Sequence, residues 1–385
     1  MNPVYARLGT TIFEHMSGLA REFGGINLGQ GFPDGRGPDD VLAAAADALL
    51  TQSNQYPPMA GLPTLREAVA GHYAGHHGFE CDPQKEVIVT SGATEAIAAA
   101  ILALVAPGDE VLMFAPLYDA YLPLVERAGG VARVARLEPP HWRIDADLIA
   151  SSFTPATRLV IFNNPLNPAG RVFTDGELAL LAAACVAHDV VAISDEVWEH
   201  VVFDGHRHRP LITQPGMRDR TVKIGSAGKI FSLTGWKVGW IVAAPPLARA
   251  IGRAHQFLTF TTPPNLQHAV AYGLGKEAGW FEEQAAGYAR SRDRLAAGLI
   301  AAGYAVGESE GTYFLVVDLA ASGLATDAAA FCERSVREAG VAAIPMSAFF
   351  PDAGAEHLIR LCFAKQDATL DAAIDRLTGF RSALL

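Results

Sequence analysis

Several short stretches of the chain carry side chains that could bind an anion or form a covalent bond, and each follows a predicted strand. In chain order they are Ser91–Thr94, Asn163–Pro168, Asp195 and Gly225–Lys229. Ligands of open α/β sheets bind outside the carboxyl ends of the strands. We therefore expect these hydroxyl, amide, acidic and basic side chains to meet at one edge of a sheet.

The lysine at position 229 is suited to covalent chemistry. An ε-amine shielded from water has a lowered pKa and attacks a carbonyl to form a Schiff base. Pyridoxal phosphate needs such a lysine, a carboxylate at its ring nitrogen, donors to its phenolic oxygen and a cup for its phosphate. Asp195 could supply the carboxylate, and the helix start at Ser91–Thr94 could join Ser226 and Lys237 around the phosphate. Taken singly, each residue also has an ordinary explanation as a helix cap, a turn residue or a solvated charge.

Two nucleotide-binding motifs are absent. In the P-loop pattern G-x-x-x-x-G-K-[ST], Lys223 would occupy the first glycine position and Ile230 the hydroxyl position. In the dinucleotide pattern G-x-G-x-x-G, a match that begins at Gly29 fails because Asp34 occupies the last position. The sequence therefore favours neither a nucleotide triphosphatase nor a dinucleotide-binding fold.

Alternating elements must position these residues. Short Val/Ile-rich runs predict strands at Glu86–Thr90, Glu110–Phe114, Arg158–Asn163, Val190–Ser194 and Thr221–Gly225. The stretches between them predict helices at Ala93–Val105, Asp119–Ala128 and Asp175–His188. This alternation is typical of an α/β fold with a mostly parallel sheet that helices cover on both faces.

The patterns at the two ends of the chain differ from this strand–helix alternation and predict a smaller α+β domain. The C-terminal part predicts helices at Lys276–Ala302, at Thr326–Ala339 and from Asp367 onward, with strands at Thr312–Leu319, Val341–Pro345 and Leu358–Ala364. Near the N-terminus, the pattern predicts a helix at Thr11–Phe23, a strand at Ile26–Leu28 and a second helix after Pro38. We expect residues 1–50 to form an arm that packs with the small domain, residues 51–275 the large cofactor-binding domain, and residues 276–385 the small domain.

The composition argues against several classes of protein. The 385 residues carry a formal charge of −11, which argues against a protein that coats nucleic acid or an anionic membrane. The four cysteines are far apart in the sequence, which favours neither a disulfide framework nor a thiolate zinc site. The start has no apolar signal region, and the longest apolar run is too short to cross a bilayer. We expect a cytoplasmic protein.

The segment Ser226–Trp240, S-A-G-K-I-F-S-L-T-G-W-K-V-G-W, resembles the Schiff-base lysine segment of the class I/II pyridoxal-phosphate aminotransferases. Further similar segments are Leu28–Asp34, Asn54–Tyr56, Asn163–Pro168, Ser194–Glu196 and Ile359–Lys365. Within the class, the chain is most similar to the methionine and kynurenine aminotransferases. The resemblance implies fold type I, whose mostly parallel seven-stranded sheet lies between helices, and transfer of an amino group from an amino acid to a 2-oxo acid by ping-pong kinetics.

The resemblance also implies roles for the residues that hold pyridoxal 5'-phosphate. Lys229 would carry the cofactor and later move a proton, Asp195 would bind its ring nitrogen, and Asn167 would bind its phenolic oxygen. Tyr118 would stack on the ring. The phosphate would be held by Ala93, Thr94, Ser226, Lys237 and, from a neighbouring subunit, Tyr56, which implies a homodimer with shared active sites.

Substrate recognition follows from the same resemblance. Arg360 would grip the substrate carboxylate, assisted by Asn167 and the backbone of Gly29. The apolar stretch Phe257–Pro264, which includes Phe260, would line the side-chain pocket from a neighbouring subunit and contains no arginine for a second carboxylate. We therefore expect large apolar or aromatic substrates such as methionine, aromatic amino acids and kynurenine.

Three other functions are possible interpretations of these residues: a β-lyase, a non-catalytic regulator and a metal-binding protein. A β-lyase that eliminates from a cysteine conjugate would use the same residues, and a non-catalytic regulator would need a lost lysine or an added DNA-binding domain. A metal site at Asp195, Glu196, Glu199, His200 and His188 is disfavoured because these side chains should diverge after a strand. His76 and His77 should end a surface helix, and His206 and His208 should lie in a solvated loop.

One position departs from the family pattern. Trp198 stands where the family usually has a tyrosine, whose hydroxyl helps to keep the phenolic oxygen anionic. We predict that Trp198→Tyr shifts the pH titration of the bound cofactor's visible absorbance downward. An unchanged titration would show that residue 198 does not touch the phenolic oxygen.

Overall fold

The computed structural model describes residues 1–385. The strands are β1 (Ile26–Asn27), β2 (Val87–Thr90), β3 (Glu110–Ala115), β4 (Val131–Arg136), β5 (Thr157–Asn163), β6 (Val191–Asp195), β7 (Thr221–Ser226), β8 (Gly239–Ala243), β9 (Ala305–Val306), β10 (Phe314–Asp318), β11 (Val341–Ala342), β12 (Ile344–Pro345) and β13 (Leu358–Cys362).

The helices surround these strands. They are α1 (Pro3–Ala6), α2 (Ile12–Glu22), α3 (Asp39–Thr51), α4 (Pro63–His77), α5 (Ala93–Leu104), α6 (Tyr121–Ala128), α7 (Ala146–Ser152), α8 (Asp175–Ala187), α9 (Ala227–Ile230), α10 (Pro245–Leu258), α11 (Pro264–Leu274), α12 (Ala278–Ala301), α13 (Ala328–Arg334) and α14 (Asp367–Leu384). No helix combines the length and the apolar composition that a membrane crossing needs.

The main sheet has seven strands in the order β2-β8-β7-β6-β5-β3-β4. Every neighbouring pair from β7 to β4 is parallel, whereas β8 runs antiparallel to both β2 and β7. This confirms the predicted fold class. The sequence patterns predict neither β4 nor β8. The edge strand β4 alternates Val and Ala with Arg133 and Arg136 and so lacks a continuous apolar run, and β8 begins within the last two residues of the lysine-bearing segment.

Two smaller sheets join the ends of the chain. The four-stranded sheet has the order β12-β13-β10-β9, and a parallel pair, β1 with β11, links the N-terminal segment to the C-terminal part. The helix α3 instead packs against α11, and its Val41 and Ala45 share a core with Trp240 of the main sheet. The domain division at residues 50 and 275 stays a prediction.

The boundary of one predicted helix is set by a cap and by a change of helix type. The helix expected at Thr326–Ala339 begins at Ala328, where the Asp327 carboxylate accepts from two backbone N–H groups. After Arg334 the backbone continues as a π-helix over Ser335–Ala339. The sequence pattern does not distinguish this segment from the α-helix because both bury the same apolar face.

The ends of β5, β6 and β7 meet at one edge of the main sheet. Asn163 pairs in register with Asp195, and Asp195 with Ile224. At the same edge, Gly239 allows the backbone of β8 to approach the start of α5. A Cβ at this position would lie 2.7 Å from the carbonyl carbon of Gly92, so no other residue fits without displacement.

A buried ion network lies within the main sheet. Lys223 of β7 is 0% exposed, and its Nζ donates to Glu199 Oε2 at 2.6 Å and to the Tyr73 hydroxyl at 3.0 Å. Nζ also lies 3.3 Å from Glu196 Oε2, and the Trp240 indole donates to Tyr73 at 2.6 Å. The network therefore joins α4, β7, β8 and the turn after β6.

Removal of Lys223 should destabilise the fold strongly. We predict that Lys223→Met lowers the free energy of unfolding by about 3–5 kcal/mol, because Glu196 and Glu199 would remain buried without their cation. Urea denaturation measures the loss. In the control Arg294→Met, which removes an exposed pair with Asp367 and Asp371, the expected loss is below about 1 kcal/mol. Equal losses of unfolding free energy in the two variants would contradict the prediction that Lys223 stabilises the buried carboxylates.

Candidate active site

A cavity of about 390 Å³ opens at the strand-end edge of the main sheet. Its wall contains the residues that the sequence assigns to the cofactor, except the one expected from a neighbouring subunit. They are Ala93, Thr94, Tyr118, Asn167, Asp195, Trp198, Ser226, Lys229 and Lys237. The strand ends therefore gather these side chains around one space, as the alternation of strands and helices predicts.

Lys229 enters the cavity from the short helix α9, directly after β7. Its Nζ donates to the Tyr313 hydroxyl at 3.1 Å and lies 4.6 Å from the centre of the Trp198 ring. Burial lowers the pKa of Lys229 to about 8, although nearby acidic groups such as Asp195 oppose the shift. A sizeable fraction of the amine is therefore uncharged and nucleophilic near neutral pH.

Tyr313 holds the lysine in place and is absent from the sequence-based set. Its hydroxyl accepts from Lys229 and donates to the Gly31 carbonyl oxygen at 2.6 Å. Tyr313 immediately precedes β10, whereas Lys229 follows β7 of the main sheet. No local sequence pattern signals a contact between such distant segments.

Asp195 ends β6 and is 5% exposed. Burial raises the pKa of its carboxyl, and the Tyr121 hydroxyl, which donates to Oδ2 at 2.5 Å, opposes that shift. The Val197 N–H approaches Oδ1 at 3.4 Å. A buried carboxylate with so few donors suits a positively charged ring nitrogen in the cavity. Sequence reasoning missed Tyr121, which begins α6, three residues after the predicted Tyr118.

The start of α5 provides an anion cup. Gly92 precedes the helix with φ +80°, and no side chain caps the first N–H groups. A Cβ at Gly92 would lie 3.2 Å from Lys237 Cε, so glycine lets that lysine approach the helix start. The Thr94 hydroxyl lies 3.4 Å from the Tyr118 hydroxyl. Uncapped N–H groups beside a lysine suit a phosphate.

Arg360 lies beside the cavity and is 2% exposed. Its Nη1 donates to Asn167 Oδ1 at 3.1 Å and its Nη2 to the Gly29 carbonyl oxygen at 2.6 Å, while Nε has no partner. Burial lowers the pKa of Arg360 to about 10, so it stays charged at neutral pH. Neither bond is to a carboxylate, which leaves this buried cation suited to an anionic ligand.

Asn163 orients two of the predicted residues. Its Oδ1 accepts from the Asn167 backbone N–H, and its Nδ2 donates to the Asp195 backbone oxygen, both at 2.8 Å. Sequence reasoning placed Asn163 at the strand end and gave it no role. Its contacts show that it ties the Asn167 loop to the end of β6.

Tyr56 and Phe260 do not reach the cavity within one chain. Their rings contact each other at 5.7 Å between centroids, and Tyr56 is 85% exposed. Trp198, by contrast, is 2% exposed, and its ring meets Tyr313 edge-on at 4.4 Å. Trp198 therefore forms part of the cavity wall and faces Lys229.

Several expectations about the histidine and acidic residues are wrong. His208 is buried and lies 2.9 Å from Glu196, although a solvated loop was expected. Glu196 and Glu199 do not diverge, because the turn after β6 directs both carboxylates toward Lys223. The side chain of His77, expected at a helix surface, is only 6% exposed.

The residues present fit pyridoxal 5'-phosphate. The cavity offers a buried amine, a buried carboxylate and an uncapped helix start, and a guanidinium with an orphaned N–H lies beside it. Lys229 and Asp195 form no ion pair with each other, so both remain available to a ligand. The cavity therefore contains the donor set that the cofactor requires.

Comparisons with known proteins agree with this geometry. Residues 24–377 match the family described as aminotransferase class I and II. A probable N-succinyldiaminopimelate aminotransferase of Mycobacterium tuberculosis is 46% identical over 96% of both chains. The solved structure of that organism's N-succinyldiaminopimelate aminotransferase superposes with a TM-score of 0.96 over 98% of this chain and 99% of the other.

Further relatives and solved structures carry other substrate names. The methionine aminotransferase of Escherichia coli is 42% identical over 96% of both chains. A solved Escherichia coli structure with methionine aminotransferase function has a TM-score of 0.95, at 41% identity over 98% of this chain and 99% of that one. Kynurenine–oxoglutarate transaminase 1 of Rattus norvegicus is 36% identical over 94% of both chains.

We predict that the lowered pKa of Lys229 sets the pH at which the cofactor-free protein captures the cofactor. The neutral amine is the nucleophile, so we predict that the capture rate rises with pH and reaches half its maximum near pH 8, not near the 10.5 of an ordinary lysine. Stopped-flow absorbance measures the rate, and pyridoxal without the phosphate controls for phosphate ionisation. A midpoint near pH 10.5 with both aldehydes would contradict the effect of burial.

Proposed function

The chain belongs to the class I and II aminotransferases, which depend on pyridoxal phosphate, and we propose that its amino donor is a large apolar or aromatic L-amino acid. The amino group passes to a 2-oxo acid by ping-pong kinetics. This proposal rests on the aromatic rings that surround Arg360. Its guanidinium lies 3.9 Å from the ring centre of Phe314, 5.0 Å from Phe349 and 5.4 Å from Phe13.

Different residues of this chain have different roles in the reaction. When bound, the cofactor supplies an electron-withdrawing ring that stabilises negative charge at the substrate Cα. Asp195 would keep the ring nitrogen protonated, and the start of α5 with Ser226 and Lys237 would hold the phosphate. The free amine of Lys229 would take the proton from the substrate Cα and pass it to the C4′ carbon of the cofactor, and it would move the proton in the reverse direction when the 2-oxo acid reacts.

Arg360 orients the substrate. Its free Nε and its Nη groups bind the α-carboxylate, with Asn167 and Gly29 holding the guanidinium plane. This contact fixes the Cα proton within reach of Lys229. Trp198 and Tyr118 limit the water in the cavity, which preserves the low pKa of the lysine amine.

The charges in the cavity favour an apolar donor. Its only cationic side chains are Lys229 and Lys237, and the cofactor uses both. No further cation of this chain lines the cavity to bind a distal carboxylate. Burial of a methionine or phenylalanine side chain is worth about 1.5–3 kcal/mol, which corresponds to a preference of roughly 10- to 150-fold over a small or polar donor.

We also propose a homodimer with shared active sites. Tyr56 and Phe257 are each 85% exposed, and Leu258 and Phe260 are 44% and 38% exposed. An aromatic patch of this kind is typical of a surface that another protein covers. A second copy placed there brings Tyr56 to the partner's phosphate cup and Phe260 to its substrate pocket.

The choice of amino donor can be measured directly. The cofactor's absorbance in the holoenzyme is followed after addition of methionine, phenylalanine, kynurenine, aspartate or N-succinyl-diaminopimelate, without a 2-oxo acid. We expect the first three to convert the cofactor at least 10-fold faster than aspartate. Phe13→Ala should slow the phenylalanine reaction, whereas Phe23→Ala, an exposed control on the same N-terminal segment, should not.

Faster conversion by aspartate or by N-succinyl-diaminopimelate would overturn the apolar-donor proposal. Release of pyruvate and ammonia from a cysteine conjugate, without a 2-oxo acid, would instead indicate β-elimination. Either result would leave the family membership intact.

The dimer proposal predicts a sedimentation mass twice the 40.8 kDa of one chain. Tyr56→Phe should keep this mass but weaken retention of the cofactor about tenfold in equilibrium dialysis, because the phosphate loses a hydrogen-bond donor. Tyr5→Phe, at an exposed tyrosine of α1, serves as the control. A monomeric mass, or unchanged retention in Tyr56→Phe, would refute the shared site.

A further inference from the structure

A second cavity, of about 1320 Å³, lies apart from the cofactor cavity and shares none of its lining residues. His77 at the end of α4 and His200 after β6 both line it. Behind them, His72 of α4 is 3% exposed. One ring nitrogen from each of these three histidines lies within 4.8 Å of the others. The aminotransferase reaction described above uses none of them.

Both ring nitrogens of His72 make hydrogen bonds, and the bond between His72 and His200 is the one that a metal ion would replace. His72 Nδ1 contacts the Leu274 carbonyl oxygen at 3.3 Å, and a carbonyl can only accept. Nδ1 therefore carries the proton, and Nε2 presents a lone pair. Metal-binding histidines are usually oriented by such a bond from their other nitrogen. That Nε2 lies 2.7 Å from His200 Nε2.

His77 adds an unsatisfied polar atom. Its Nε2 is buried and makes no hydrogen bond, although it lies 3.3 Å from Glu199 Oε2 outside hydrogen-bond geometry. A buried nitrogen without a partner is costly and rare in native proteins.

The carboxylates next to the three rings already have partners. Glu196 and Glu199 are buried beside Lys223, and Glu196 Oε2 also lies 2.9 Å from His208 Nε2. The imidazole nitrogens are therefore the donors that an ion could take. The 1320 Å³ cavity reaches solvent past His76 and His206 and gives an ion access.

We propose that His72, His77 and His200 bind a divalent transition-metal ion of the borderline class that includes Zn²⁺ and Co²⁺. An ion about 2.0–2.1 Å from three imidazole nitrogens holds them about 3.3 Å apart. The nitrogens now lie between 2.7 and 4.8 Å apart, so ring rotations can bring them to this spacing. A water from the open cavity completes a tetrahedral site.

The ion would connect two elements that the active site depends on. His72 and His77 belong to α4, whereas His200 ends the turn that begins at Asp195 and carries Trp198. A metal would therefore fix the far end of this turn. Its expected effect is stabilisation of the fold, with no part in the chemistry at the cofactor.

Cobalt titration of the holoenzyme tests the proposal. Co²⁺ is added in phosphate-free buffer without an amino acid, and its tetrahedral visible bands are followed at wavelengths beyond those of the cofactor. We expect one Co²⁺ per chain, displaced by Zn²⁺. His77→Gln and His200→Gln should each weaken binding at least tenfold, whereas His141→Gln, at an exposed histidine, should not.

Thermal unfolding gives a second readout that also detects misfolded variants. Zn²⁺ should raise the Tm of the wild-type protein and of His141→Gln but not that of His77→Gln, and circular dichroism without metal should be the same for all three proteins. Absence of stoichiometric binding would overturn the proposal. Equal affinity in the His77→Gln and wild-type proteins, or strong sulfur-to-cobalt absorption from a cysteine, would also overturn it.

Discussion

The active site depends on a buried amine and a buried carboxylate that share a cavity without neutralising each other. Burial lowers the pKa of Lys229 to about 8 and raises the pKa of Asp195, so it disfavours the charged form of both groups. Two such groups in direct contact would form an ion pair and would no longer be available to bind a ligand. The fold prevents this by placing Asp195 at the end of β6 and Lys229 on the helix that follows β7.

Partners from distant segments hold these two groups in position. Tyr313 accepts from Lys229, and Tyr121 donates to Asp195. Lys223 fixes the loop that follows Asp195, because it binds Glu199 and lies beside Glu196 inside the sheet. A chain of buried polar contacts therefore links the cofactor cavity to the histidine cluster on the far side of the turn. Such networks are specific because every unpaired member is costly.

The sequence predicts the central architecture because buried parallel strands read as continuous apolar runs, as in Leu159–Phe162 and Val190–Ile193. It also predicts that Thr94, Asn167, Asp195 and Lys229 share one cavity, since strand ends in this fold point to one edge, whereas Tyr118 and Trp198 are predicted only by the family resemblance. It does not predict Tyr121, Tyr313 or the burial of His208, because these depend on contacts between segments far apart in the chain. The edge strand β4 escapes detection because its arginines interrupt the apolar pattern.

The variant Lys229→Ala tests whether this amine holds the cofactor. The purified variant is compared with the wild-type protein by mass spectrometry after borohydride reduction and by transamination of methionine. We expect that borohydride attaches the cofactor to the wild-type chain but not to the variant, and that the variant loses nearly all turnover. Full turnover by the alanine variant, or attachment at another lysine in the wild-type protein, would contradict it.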